Sequence, residues 1–197
     1  MAKVLDIEPY FREVSVKWPV TKELLDAGDS ERALHLIEDS IEEAGRLTTS
    51  QQWIIRGRCL YSLKRSAEAL GSLERSIELD PTNAYAYSGR GATLIDLDCF
   101  TEALASLDCA IHYNPSDADT YYWRGIALYC LDRLHEALES FDRAIELNPM
   151  DNFAHHYKGY ICYYTGIFAP TGRCTSKISL PIASADQSKK LIAGFFD

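Results

Sequence analysis

The sequence predicts an all-α fold in which helical hairpins repeat and stack as an α-solenoid superhelix. Pro81, Pro115 and Pro149 recur in step with Gly57, Gly91, Gly125 and Gly159 and with Ala69, Ala103 and Ala137, every interval being the same. A fixed period in the range of roughly 20–50 residues marks one supersecondary unit copied in tandem, each copy burying its apolar face against its neighbours. Within each copy the apolar residues fall three and four apart, the spacing of a helix face. A stack of this kind offers surfaces rather than a catalytic cleft, so function is expected on a face.

Residues 1–15 read as an N-terminal arm. Residues 16–49 read as a degenerate first hairpin, with Leu24 and Leu25 on one helix, a turn at Ala27-Gly28-Asp29, and Ala33, Leu34, Ile37 and Ile41 on a second. Thr49 with Gln52 three residues on has the spacing of a capping box. Complete copies occupy 50–83, 84–117 and 118–151. The first helix of each carries a bulky residue (Trp53, Tyr87, Tyr121), then Arg56-Gly57, Arg90-Gly91 or Arg124-Gly125, then Leu60, Leu94 or Leu128. The second helix carries Ala69-Leu70-Leu73-Ile77, Ala103-Leu104-Leu107-Ile111 or Ala137-Leu138-Phe141-Ile145. Asp80, Asn114 and Asn148 each precede a proline and read as N-caps with Pro at the first helical position. Glycine inside a helix costs about 1 kcal/mol relative to alanine, so its recurrence predicts close approach of the paired helix. An incomplete copy at 152–168 supplies a first helix and a turn at Gly166, and 169–197 is an irregular tail.

This constellation of aromatic, glycine, large residue, alanine and proline resembles the tetratricopeptide repeat. Three copies from Ser50 to Asp151 match, with Ser76 standing where the first copy would have its last alanine. Arg56, Arg90, Arg124 and Lys158 stand where the family has an apolar residue. An acidic column, Glu74, Asp108 and Asp142, follows the three arginines at one constant offset, which predicts charge pairing between helices of one copy or across copies. The resemblance implies that first helices of successive copies line a concave groove. One branch of the family grips acidic tails of heat-shock chaperones with basic residues and asparagine. The matching positions here are Ile54, Arg58, Gly89, Asp119 and Trp123, or one copy later Ser88, Ala92, Trp123, Phe153 and Tyr157, and only Arg58 is basic. A second branch, attached to sugar-transferring enzymes, carries an asparagine ladder; Ile55, Gly89, Trp123 and Tyr157 stand at those positions.

Composition narrows the function classes. The chain has 197 residues, 47% of them hydrophobic, enough for a continuous core. No apolar run approaches the roughly 18 residues that span a bilayer, and the first residues lack a signal-peptide core, so a cytoplasmic protein is expected. The six cysteines contain no C-x-x-C pair and read as small packing residues of a reducing compartment. A net charge of −9 argues against nucleic acid, whose binding needs a basic surface. Residues 84–151 carry a net −8 and residues 152–197 a net +3, so a partner of the middle copies is expected to be neutral or basic. No catalytic constellation is present: Gly89-Arg90-Gly91 opens like a dinucleotide fingerprint but lies inside a helix and lacks the third glycine. His155, His156 and Cys162 lack metal-site spacing, because adjacent residues on a helix point about 100° apart. No cofactor is expected.

The groove that the resemblance implies is aromatic. Its candidate binding residues are Arg58 and Tyr85, then Tyr122, Trp123 and Tyr129, then Phe153, Tyr157, Tyr160 and Tyr164. Aromatics gathered on one face serve as anchors for a peptide or a partner helix. The expected function is a non-enzymatic scaffold that binds an apolar to mildly basic protein segment. The alternatives are a self-associating structural module and an accessory region of a larger enzyme assembly. The end, Leu191-Ile192 with Phe195-Phe196, is expected either to cap the last helix, to compete for the groove, or to stay disordered.

Overall fold

The computed structural model describes residues 20–21, 23–25, 27–45 and 48–165, and among them every regular element is a helix. They are α1 (Ser30–Ala44), α2 (Ser50–Ser62), α3 (Ser66–Leu79), α4 (Ala84–Asp96), α5 (Phe100–Tyr113), α6 (Ala118–Cys130), α7 (Leu134–Leu147) and α8 (Asn152–Thr165). Residues 20–21 and 23–25 are also helical. The all-α, helical-hairpin class is as expected. The chain divides into two compact units, Met1–Gly89 and Arg90–Asp197. The N-terminal arm, the Gly166 turn and the tail with Leu191–Phe196 lie outside the described residues.

In the first unit side-chain caps open α1 and α2, whereas α3 starts without one. The Asp29 carboxylate accepts the Arg32 N–H at 3.3 Å and opens α1. The capping box forms as expected: Gln52 Oε1 accepts the Thr49 N–H at 2.8 Å while Thr49 Oγ1 accepts the Gln52 N–H at 3.4 Å. Gln52 is fully buried, and its Nε2 donates to Ser40 Oγ at 2.9 Å, tying α2 to α1. Around that tie the core gathers Ala33, Leu34 and Ile37 from α1, Ile55, Cys59 and Leu60 from α2, and Ala69 from α3. Full burial of one such leucine stabilises by about 1.5–3 kcal/mol. Burial pushes the Cys59 thiol up to about 11, which leaves it unreactive. Ser76 keeps its alanine-sized place because its hydroxyl meets Ser50 Oγ at 2.8 Å, and Asn83 Nδ2 donates to the same Ser50 oxygen at 3.3 Å.

Gly57, Gly91 and Gly125 accommodate the second helix of their copy. A Cβ on Gly57 would lie 2.9 Å from Leu73 Cγ, and one on Gly125 2.6 Å from Phe141 Cε1. Leu107 crowds Gly91 in the same way. Gly159 differs: among the described residues nothing lies within 4 Å of its added Cβ.

The prolines have a different role from the expected one. Asp80, Asn114 and Asn148 are C-caps of α3, α5 and α7 rather than N-caps of the following helices. Their side-chain oxygens accept the N–H groups of Thr82 at 3.1 Å, Ser116 at 3.2 Å and Met150 at 3.3 Å, two residues on in each case. These are Asx turns, which suit a residue that the following proline bars from helical backbone angles. Helices then restart at Ala84, Ala118 and Asn152, the last capped by Asp151 Oδ1, which accepts the Phe153 and Ala154 N–H groups at 3.0 and 3.1 Å.

Each hairpin bend has its own repeated device, missed in the sequence. Lys64, Asp98 and Asp132, again one repeat period apart, take φ of 59°, 61° and 60°. The next residue's N–H reaches back five positions: Arg65 to Leu60 O at 2.9 Å, Cys99 to Leu94 O at 2.8 Å, Arg133 to Leu128 O at 2.9 Å. This is the Schellman closure, in which a left-handed residue satisfies the last carbonyls of the helix.

Candidate functional site

In the second unit, α6, α7 and α8 bring their aromatic rings into one contiguous cluster. Phe141 on α7 is fully buried, and Tyr157 of α8 stacks on it with centroids 5.6 Å apart and planes 12° from parallel. Tyr122 of α6 stands 6.2 Å from Phe141, 6.0 Å from Tyr157 and 6.4 Å from Phe153. Tyr129 meets Tyr157 edge-on at 6.1 Å and Tyr160 at 6.2 Å, and Trp123 lies against Tyr122 at 5.1 Å. Offset and edge-on pairs of this kind each contribute about 0.5–1.5 kcal/mol beyond area burial. The cluster is thus a stiff patch and not a set of loose side chains.

Exposure is graded across it. Phe141 is at 0% and Tyr129 at 6%, whereas Phe153 is at 65%. Tyr122, Trp123, Tyr157 and Tyr160 are half-buried. Burial raises the Tyr157 phenol above its ordinary range. The patch therefore has a packed floor, a half-covered wall and one ring projecting into solvent.

Acidic groups border the wall. Asp119 precedes Tyr122 and Trp123 by three and four residues, which places it on their face of α6. Desolvation by neighbouring protein raises its carboxyl above the usual carboxylate range, and the charges of Asp117 and Asp151 raise it further. Among the described residues no Lys or Arg pairs with it.

The remaining expected groove residues are Arg58, Tyr85 and Tyr164. Arg58 is exposed on α2, and Tyr85 is 62% exposed at the start of α4; both belong to the first unit. Tyr164 is helical, but its side chain lies outside the described residues. Ile54, Ile55 and Ile126, which the family pattern also places on the inner face, are buried at 5%, 3% and 3%. They pack between helices, as Tyr129 does. His155 Nε2 sits 3.0 Å from the Pro149 carbonyl, and Cys162 is disulfide-bonded. Cys162 thus departs from the reading of every cysteine as a plain packing thiol, while Cys59, Cys99, Cys109 and Cys130 are free.

The basic column is structural by geometry. Arg56, Arg90 and Arg124 each donate Nη1–H to a serine hydroxyl 16 residues on, Ser72, Ser106 and Ser140, always at 2.7 Å. Each of those buried hydroxyls donates in turn to the carbonyl four residues back, Glu68, Glu102 or Glu136. Arg124 also pairs with Asp108 at 2.7 Å, Lys158 pairs with Asp142, and Arg56 pairs with Glu38 at 2.8 Å. Asp108 and Asp142 of the acidic column therefore pair with the cation of the following copy, which is the across-copy alternative of the two that the sequence left open. The serine column, Ser72, Ser106 and Ser140, is periodic as well and is the signal in the sequence for these partners.

Models of the tetratricopeptide repeat match residues 22–84 and 118–151. The chain belongs to the tetratricopeptide repeat family. Solved structures agree on the fold. MamA from Desulfovibrio magneticus aligns with a TM-score of 0.65 at 21% identity, covering 77% of this chain and 84% of that one. YrrB, described as a tetratricopeptide repeat protein with an unusual peptide-binding site, aligns at 0.62 and 22%, covering 79% and 78%. The first such domain of Spaghetti (RPAP3), solved with an HSP90 peptide, aligns at 0.57 and 23%, covering 59% and 92%. Among curated proteins, none matches the chain by sequence. The family's protein-binding character is the general expectation for this tetratricopeptide repeat protein, and no described helix is long and apolar enough to cross a membrane.

Proposed function

We propose that this tetratricopeptide repeat protein is a non-enzymatic interaction scaffold that holds an apolar to mildly basic protein segment against the aromatic patch of α6 and α8. The observation that carries the reading is Phe153, 65% exposed yet backed by Tyr122 and, through Tyr157, by the fully buried Phe141. A projecting ring on a stiff support is the geometry of an interface anchor, because the support is already ordered before the partner arrives. Two neighbours of similar fold are described with peptides or peptide sites, which supports a peptide as the type of partner. The acidic HSP90 peptide SRMEEVD of one of them is a poor analogue, since Asp119 and Trp123 stand at positions where a carboxylate clamp needs cations. Arg58, Tyr85, Tyr160 and Tyr164 are secondary candidates.

The test is affinity capture with the intact chain and with its Trp123→Ala and Phe153→Ala variants, followed by titration of the captured partner. Truncating a central aromatic anchor costs about 2 kcal/mol, or roughly 30-fold in affinity. Unchanged affinity in folded variants would remove the patch from the binding site. The exposed Met150, Phe153 and Tyr163, at 82%, 65% and 69%, favour self-association as the second reading. Light scattering separates the two, a stable monomer favouring an outside partner.

A further inference from the structure

We infer that the α6–α8 face selects its partner by a pair of side chains, a lysine or arginine set beside a bulky apolar residue. The inference rests on the patch being the binding surface, as proposed above, and adds the rule by which that surface discriminates. The apolar half of the rule follows from Phe153: a partner side chain laid against it covers an already supported ring. The charged half follows from what surrounds Asp119. Asp117 already accepts the Thr120 hydroxyl, and Asp151 already accepts the Phe153 and Ala154 N–H groups at the start of α8. Asp119 has no such partner among the described residues, and it stands one turn before Tyr122 and Trp123.

Among the described residues of this unit, four cations are engaged elsewhere. Arg124 is held by Asp108 and Ser140, Arg133 by Glu136, Arg143 by Glu146 and Lys158 by Asp142. Residues 84–151 keep a net −8 with their own arginines, Arg90, Arg124, Arg133 and Arg143, already counted. Asp119 is exposed, and a carboxylate in that position among like charges attracts an incoming cation and repels an incoming carboxylate. A guanidinium gains further from the adjacent ring faces. The occupant with both features is a basic, apolar peptide segment, and the same arrangement disfavours an acidic tail.

Selection of a random-peptide display library on the full chain tests the rule, with affinities then measured by fluorescence anisotropy. Enriched peptides are expected to combine Lys or Arg with an aromatic or large aliphatic residue. Replacing their basic residue by glutamate is expected to weaken binding about tenfold or more, and Asp119→Asn to remove most of that preference. Asparagine keeps the shape of the side chain, and Phe153→Ala truncates an exposed ring, so both variants should stay folded, which circular dichroism checks. Peptides that lack a basic residue yet lose affinity in Phe153→Ala would overturn the selection rule and leave the surface standing. Peptides indifferent to both Phe153→Ala and Trp123→Ala would overturn the surface itself. A selection that enriches no peptide, or only copies of this chain's own segments, counts against the rule too.

Discussion

At Ser106 a single hydroxyl links three elements of the chemistry. Its oxygen accepts from Arg90 Nη1 at 2.7 Å while its proton goes to the Glu102 carbonyl at 3.0 Å. An arginine in place of the family's apolar residue is tolerated because this buried acceptor stands opposite it, and because its head stays partly in solvent. Hydrogen bonds to charged groups contribute about 1.5–3 kcal/mol, toward the low end when partly exposed. Arg90→Ala should therefore lower unfolding free energy by about 1–2 kcal/mol by chemical denaturation, without altering partner affinity. Unchanged stability combined with lost binding would reassign the column to recognition. The charges themselves were visible in the sequence, but not their partners, since a constant offset fits both the preceding and the following acid. Only the distance between helices decides which one is met.

Among elements, the glycine column tests how the helices pack. Leu107 leaves no room for a methyl group at Gly91, so Gly91→Ala should destabilise by about 1–3 kcal/mol through overpacking. Gly159 occupies the same column on α8, and among the described residues none crowds it. There alanine should stabilise by up to about 1 kcal/mol, from helix propensity alone. Thermal melts of the two variants in parallel give the check, and a shared sign would mean that the column does not report helix contact. The hairpins themselves were legible, because period and apolar spacing agree at every copy. Their punctuation was not. Asp80, Asn114 and Asn148 are acceptable at either end of a helix, and the competition was won by the Asx turn. The left-handed bends at Lys64, Asp98 and Asp132 carry no glycine to betray them, whereas Gly28, at φ 80°, does.

For the whole molecule, acid titration sums opposing contributions. Hydrogen bonds from Arg65 and Arg133 lower the carboxyls of Glu68 and Glu136, so their stabilisation is present above the unfolded-state range and is lost as pH falls through their folded values. Asp119 has the opposite sign. Raised in the folded chain by burial first and by Asp117 and Asp151 next, it destabilises the fold once ionised, and protonation relieves this as pH falls. Asp119→Asn should accordingly raise Tm at neutral pH and give no gain below the ordinary carboxylate range. A gain at both pH values would mean that packing and not charge is responsible. The candidate surface was half legible: Tyr122, Trp123, Phe153 and Tyr157 could be placed on first helices by counting. What counting could not supply is depth, since Tyr129 and Phe153 look alike in one dimension and differ in exposure from 6% to 65%.

The bonds between Arg124 and both Asp108 and Ser140 bear on how a chain of this kind can change in length. The arginine ties its copy to the second helix before it and to its own second helix, at 16 residues in either direction. Adding or deleting one whole copy carries every donor onto an equivalent acceptor. Adding one residue inside a helix turns the following face by about 100° and strands them all. Growth by duplication of entire copies is therefore conservative, whereas single-residue insertions are confined to the bends between helices.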